Sequence, residues 1–236
     1  EYGDEWGVKW MFHYRWTYDA DQASGAERIA AENFPGAGKE EMEGAAAMIR
    51  GRMVPRLKFV GSSEGTRELI EACFKRALAI LEAHFTTGRK YLFGDRPAFA
   101  DFGLWGQMYE LSTDPTPGAI MRRMAPNVLA WIDRMLSPRA EGGFEPWGEL
   151  QDTLQDLLRD EVGRYFLPWA AVNAEAVQKG ASEATLDLPG GHWTQEPQKY
   201  AMKSLAALRA KYDAAPEKAQ LDAVLRETGC LRWLRG

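Results

Sequence analysis

The chain has 236 residues, 34 acidic against 29 basic side chains, and a formal net charge of −5. That balance leaves no basic surplus to neutralise a phosphate backbone, so a nucleic-acid partner is not expected. Apolar residues make up 45% of the chain, enough for a sizeable core and too many for disorder, and no apolar run is long enough to span a bilayer, so no membrane partner is expected either.

Helical patterns dominate from the first residues. Tyr2 to Asp19 reads as the first helix, followed by Ala26 to Asn33 and then Lys39 to Val60, which Pro55 should kink or break. Thr66 to Phe85 is the clearest helix. Leu69, Ile70, Cys73, Phe74, Ala77, Leu78, Leu81, His84 and Phe85 recur at the three-and-four spacing of one buried face, and Gly88 stops it. A further helix runs from Ala98 to Ser112. Pro115 and Pro117 mark a connection, Met121 to Met124 a single turn, and Asn127 to Met135 a short helix with Val128, Leu129, Trp131, Ile132 and Met135 on one side.

Beyond the Gly142-Gly143 loop, Pro146 to Ala176 reads as a long helix that breaks near Pro168. Ala184 to Leu188 alternates, Pro189-Gly190-Gly191 turns, and His192-Trp193-Thr194 returns, the pattern of one small β-hairpin. Helices from Gln198 to Tyr212 and Pro216 to Thr228 close the chain. The expected fold class is therefore all-α, a helical bundle with a helical extension and one hairpin.

The run from Tyr91 to Gly103 carries the most specific signal. Gly94 closes one helical pattern, Pro97 leads into the next, and Asp101 stands three residues after Ala98, the spacing of a capping box. A carboxylate there accepts free backbone N–H groups at the helix start and meets the positive end of the helix dipole. Pro97 and Phe102 are expected to pack as the accompanying hydrophobic staple. The run resembles the capping motif of the glutathione transferase C-terminal domain, which reads Gly-x-x-x-Ser/Thr-x-Ala-Asp. Gly94, Ala100 and Asp101 match it, whereas Ala98 replaces the capping hydroxyl.

The resemblance covers roughly residues 1–136, where the helices follow in the order of that domain. Asp114-Pro115-Thr116-Pro117 and Ala125-Pro126-Asn127-Val128 also look like larger bacterial members. Residues 137–236 are expected to be a helical extension packed on this domain, with the whole chain possibly one continuous domain. The resemblance implies a helical, hydrophobic-substrate-binding unit. Its partner would be a small apolar electrophile, with glutathione as co-substrate, a homodimer as a possible assembly and a cytoplasmic location. In the family the thiolate is activated by an upstream thioredoxin-like domain, and no βαβ opening precedes Glu1 here. No catalytic residue is therefore assigned, and no cofactor is expected on this chain.

The first helix of the resembled domain lines the substrate cleft. Here Tyr2, Trp6, Trp10, His13 and Thr17 share one helical face, with Val8, Met11 and Phe12 on the other. The expected substrate-binding set is Trp6, Trp10, His13, Tyr14 and Thr17. Flat apolar ligands stack on such rings, and the opposite face would pack into the bundle. The competing expectations are plain core rings, or a non-catalytic ligand-binding or scaffold protein using the same aromatic groove. Arg15 reads as a solvated side chain. Cys73 and Cys230 make no disulfide framework, and the well-separated His13, His84 and His192 make no metal site.

Overall fold

The computed structural model describes residues 1–235. A π-helical turn, Tyr2–Trp6, runs directly into α1, Gly7–Thr17. Next come α2, Asp19–Asn33, and α3, Lys39–Met53, which Pro55 converts into the 3-10 turn Val54–Val60. α4, Arg67–Thr86, buries all nine residues of its predicted stripe. It packs against α1, α6, α7 and α8. α5 is Phe99–Thr113, α6 Pro115–Met124 and α7 Pro126–Met135.

α6 is longer than the single turn expected from its two prolines. Pro115 occupies the first helical position, where a missing N–H costs nothing. The buried Asp21 on α2 supplies the cap, accepting the Thr116 backbone N–H at 2.8 Å and its hydroxyl at 2.5 Å.

α8, Trp147–Leu157, continues through a π-helical segment, Leu158–Phe166, into α9, Leu167–Lys179. The expected break at Pro168 does not occur. That proline falls at the start of α9, just after the wider π turns have changed the hydrogen-bond register, so its missing N–H is accommodated. Gly163 lies in the π segment because a Cβ there would stand 2.4 Å from the Thr228 carbonyl.

The hairpin is present, with β1, Ala184–Leu188, antiparallel to β2, Gly191–Gln195, and Leu186 opposite Trp193. α10, Lys199–Asp213, and α11, Lys218–Glu227, follow as expected, and a short α12, Leu231–Leu234, adds a turn the pattern did not announce. Among the described residues, the only β structure in this helical fold is the hairpin and two isolated bridges at Gly94. One core cluster runs from Trp6 and Phe74 through Trp131 to Trp169, Trp193 and Leu234.

Candidate functional site

The expected open aromatic wall on α1 is corrected by the structure. Trp6 and Trp10 are 1% and 0% exposed, and His13 and Tyr14 are buried beside them. The extension covers this face. Trp6 lies 5.8 Å from the Trp169 ring of α9 and 5.3 Å from Trp193 of β2, and Trp10 packs on Phe74. Val8, Met11 and Phe12, expected in the core, are instead half-exposed. The five ring-bearing and polar residues do share a face, but that face is the inner one.

Lys9, which the sequence reading passed over, enters the same junction. Its ammonium sits 3.8 Å from the centre of the Trp169 ring, within 6 Å of Trp6 and Trp193, and donates to Gln195 Oε1 at 2.8 Å. Burial pulls its pKa down from 10.5 to about 7, against the pull of Glu5 one turn away. The aromatic faces favour the charged form. Gln195 Oε1 also accepts from Trp169 Nε1 at 3.1 Å and Trp193 Nε1 at 3.3 Å, so one amide oxygen gathers three donors from three elements.

Arg15 is buried rather than solvated. Its Nε donates to Asp114 Oδ2 at 2.8 Å, 99 residues along the chain, and its terminal nitrogen to Glu110 Oε2 at 2.6 Å. Arg28 pairs with the same Asp114. Gly25 makes room, since a Cβ there would come within 2.9 Å of Arg15 Cγ. Thr17 is half-buried and stands 3.3 Å from His13 Nδ1. Tyr14 stacks on Tyr18 and meets Phe74 edge-on, a packing role.

Asp101 is where the sequence places it, buried in the first turn of α5. Its carboxylate accepts the Ala98 N–H at 2.9 Å, the Leu92 N–H at 2.9 Å and the Trp131 indole N–H at 3.0 Å. Burial raises its pKa and these donors oppose the rise. Only the carboxylate half of the box operates, because Ala98 has no side-chain acceptor. Phe102, expected to pack with Pro97 as a staple, leaves about half of its surface open to solvent.

A cavity of about 560 Å³ opens beside this cap. Tyr2, Leu92, Phe93, Leu104, Trp147 and Val162 line it, and Phe99, 97% exposed, stands at its rim. The wall is mostly hydrocarbon. Its polar edge is formed by Glu1, Asp4, Lys211 and Tyr2, and the Tyr2 hydroxyl lies 3.4 Å from Glu161 Oε2. Glu161 is fully buried in the π segment and takes Arg76 Nε at 2.6 Å. Burial pushes the Glu161 carboxyl up to about 7 despite that guanidinium. Both π-helical segments thus meet at one buried carboxyl behind an apolar cavity.

The other titratable groups fit structural roles. Cys73 and Cys230 are buried with thiol pKa values raised by burial, the opposite of activation. His84 is held neutral, lowered to about 4 by burial, and bonds Thr153 at 2.7 Å. Among the described residues no cluster of His, Cys, Asp and Glu has metal-ligand geometry, and no helix is long and apolar enough to cross a membrane.

Residues 64–134, from the start of α4 through nearly all of α7, match the family model of the glutathione S-transferase C-terminal domain. The match supports a domain of the glutathione S-transferase C-terminal type in this part of the chain. Neither a curated protein nor a solved structure matches the chain. The Asp101 cap lies inside the matched segment. The matched segment contributes α4 and α5 to the walls around Glu161 and the cavity, while the π turn before α1 and the α8–α9 rod come from outside it.

Proposed function

We propose that the chain is the hydrophobic-ligand-binding helical part of a glutathione transferase-like protein, and that its ligand enters the Phe99–Trp147 cavity rather than the Trp6–Trp10 face. The observation that carries this reading is the apolar cavity of about 560 Å³ beside the Asp101 cap. Its size and largely apolar lining suit a small apolar electrophile, with Tyr2, Glu1, Asp4 and Lys211 as polar groups at its edge. In the conjugation reaction, a glutathione thiolate attacks the electrophilic carbon and displaces a leaving group or adds across a double bond. A thioredoxin-like domain upstream would hold and activate the tripeptide, and this chain would orient the electrophile. Pairing of two copies and a cytoplasmic location belong to the same reading.

A second reading has its own support. The enclosure of Trp6 and Trp10 by Trp169 and Trp193 removes the aromatic groove from the surface. That arrangement favours a non-catalytic binding protein in which the cavity stores or carries an apolar ligand. The two readings share the cavity and differ in chemistry.

The test uses anilinonaphthalene sulfonate as a fluorescent apolar probe. Wild type should bind it saturably, and Ala100→Trp, on the exposed rim of the cavity, should weaken binding. Unchanged binding by this variant would remove the cavity assignment. Chlorodinitrobenzene with glutathione then separates the readings. Conjugation by the protein with its upstream domain, lost in Ala100→Trp, supports the enzyme, whereas probe binding without turnover supports the carrier.

A further inference from the structure

The molecule has a second, more polar cleft that shares no residue with the apolar cavity. It opens between the Gly61–Ser63 turn on one side and β2 with the start of α10 on the other, and its volume is about 750 Å³. Ser62 lines it at the foot of the 3-10 turn and is largely buried. Behind Ser62 stands His13. The Ser62 hydroxyl lies 2.7 Å from His13 Nδ1. On the far side of the ring, His13 Nε2 has no hydrogen-bond partner and faces Glu71 Oε1 at 3.7 Å.

These three groups come from α1, the turn before α4, and α4 itself. The carboxylate beyond Nε2 favours the tautomer with its proton there, which leaves Nδ1 as an acceptor for the Ser62 hydroxyl. Burial lowers the His13 pKa below the ordinary imidazole value, so the ring is neutral at neutral pH and has a lone pair free to accept a proton. The charged groups acting on it are Glu71, which opposes the shift, and Arg67, which adds to it, both on α4. Tyr14 and Tyr18 face it from α1 and the adjoining residue.

The turn that carries Ser62 is held on every side. Gly61 has φ +73°, and a Cβ there would stand 2.3 Å from the Trp193 ring. Ser62 N–H donates to Leu57 O at 3.0 Å, Thr66 Oγ1 donates to Gly61 O at 2.6 Å, and Ser63 N–H donates to Thr66 Oγ1 at 2.9 Å. A hydroxyl fixed in this way, with a neutral imidazole at hydrogen-bond distance and a carboxylate behind it, has the parts of an activated nucleophile. Lys58 and Lys199 line the same cleft, as do Glu183 and Glu196, and the two lysines are the cations available to negative charge developing on a carbonyl oxygen. Their contribution matters because the backbone N–H groups of the turn are already taken.

We propose that Ser62 is a nucleophile for small polar esters bound in this cleft, with His13 as its general base and Glu71 as the residue that positions the ring. Ser62 Oγ bonds to the carbonyl carbon as its proton passes to His13 Nδ1. The ester C–O bond then breaks and the leaving alcohol takes that proton. Water, deprotonated by the same imidazole, attacks the acyl carbon; the bond from that carbon to Ser62 Oγ breaks, Oγ takes the proton back from His13 Nδ1, and the acid is released. No metal or redox partner enters the balance.

A fluorophosphonate probe tests this directly, since the hydroxyl displaces fluoride and the adduct is read by peptide mass mapping. The wild-type chain should be labelled on Ser62 and should hydrolyse p-nitrophenyl acetate, and Ser62→Ala should lose both. Removing the base with His13→Gln should slow labelling on the order of 100-fold, within the usual range for general-base catalysis. The wild-type labelling rate should fall with acid through an inflection below the ordinary imidazole pKa. Glu71→Gln should slow labelling and move that inflection lower still, because the carboxylate holds the imidazolium. A merely structural role for Glu71 would leave the inflection in place. The wild-type measurements do not depend on whether a variant folds. Absence of a Ser62 adduct, an adduct rate that does not change with pH, or equal labelling of folded His13→Gln overturns the proposal. The outcome is independent of the apolar-cavity reading, which rests on other residues.

Discussion

Two buried charges, Asp101 and Lys9, show opposite ways of placing an ion inside this fold. Asp101 is a helix cap whose carboxylate meets two backbone N–H groups and one indole, each at or below 3.0 Å. Lys9 has one side-chain acceptor, three aromatic faces and no carboxylate within bonding distance. The first site satisfies groups that the backbone would otherwise leave orphaned, and those donors offset the desolvation that raises its pKa. The second desolvates an ammonium that water would hold better, so it costs stability and contributes a fixed register between α1 and the hairpin. Burial of a charge therefore carries no sign of its own. The sign follows from whether the partners needed the ion.

The comparison can be broken by substitution, beginning with the largest effect. Gly61→Ala forces a left-handed backbone on a residue with a Cβ and drives that atom into Trp193, beside the Lys9 cage. A loss of about 3–5 kcal/mol is expected in urea unfolding, more than strain at φ alone would give. Asp101→Ala strands three donors at once and should cost about 2–4 kcal/mol, whereas Trp131→Phe, which leaves the two backbone bonds in place, should cost about 1–2 kcal/mol. If the two variants lose equal stability, the cap is not the source of the Asp101 effect.

Lys9→Met should go the other way and stabilise the chain by about 1 kcal/mol at pH 7. Gln195 Oε1 keeps its two indole donors in that variant, so no acceptor is orphaned. The pH dependence fixes the sign. The folded Lys9 pKa of about 7 lies below its unfolded value of 10.5, so between those values the unfolded chain binds more protons and wild-type stability rises with pH. The advantage of Lys9→Met should therefore shrink steadily from pH 7 to pH 10. A constant difference across that range would show that the cage holds the ammonium without a pKa shift. The smallest effect is Ala98→Ser, which supplies the missing hydroxyl and should raise stability by about 0.5 kcal/mol.

The same pair of sites marks what could be read from the sequence. Asp101 was legible because its partners lie within a local spacing, and the stripe of α4 was legible because one period governs all nine residues. Trp131, the third donor to Asp101, was visible only as a core residue. Lys9 was not legible, since nothing local tells that Trp169 and Trp193 converge on it. The α1 faces were correctly divided, yet their sides were assigned in reverse, because what covers a face is decided by elements more than a hundred residues away. Arg15 failed for the same reason, with Asp114 beyond local reach and the space provided by Gly25. The Ser62–His13 contact joins residues 49 apart and leaves no periodic trace. Pro168 misled because its effect depends on the register change in the π turns that precede it.

The unbroken rod from Trp147 to Lys179 has a consequence for how the protein comes apart. It touches α4 at one end and the hairpin and α10 at the other, and its middle faces the π turn that begins the chain. Peeling away residues 137–236 would lay bare Trp6 and leave Arg76 without Glu161. Limited proteolysis should thus yield no soluble fragment ending near Leu136, and heat should melt both parts in a single transition. The family match ends at residue 134, and a single transition would make the cooperative unit larger than the matched segment.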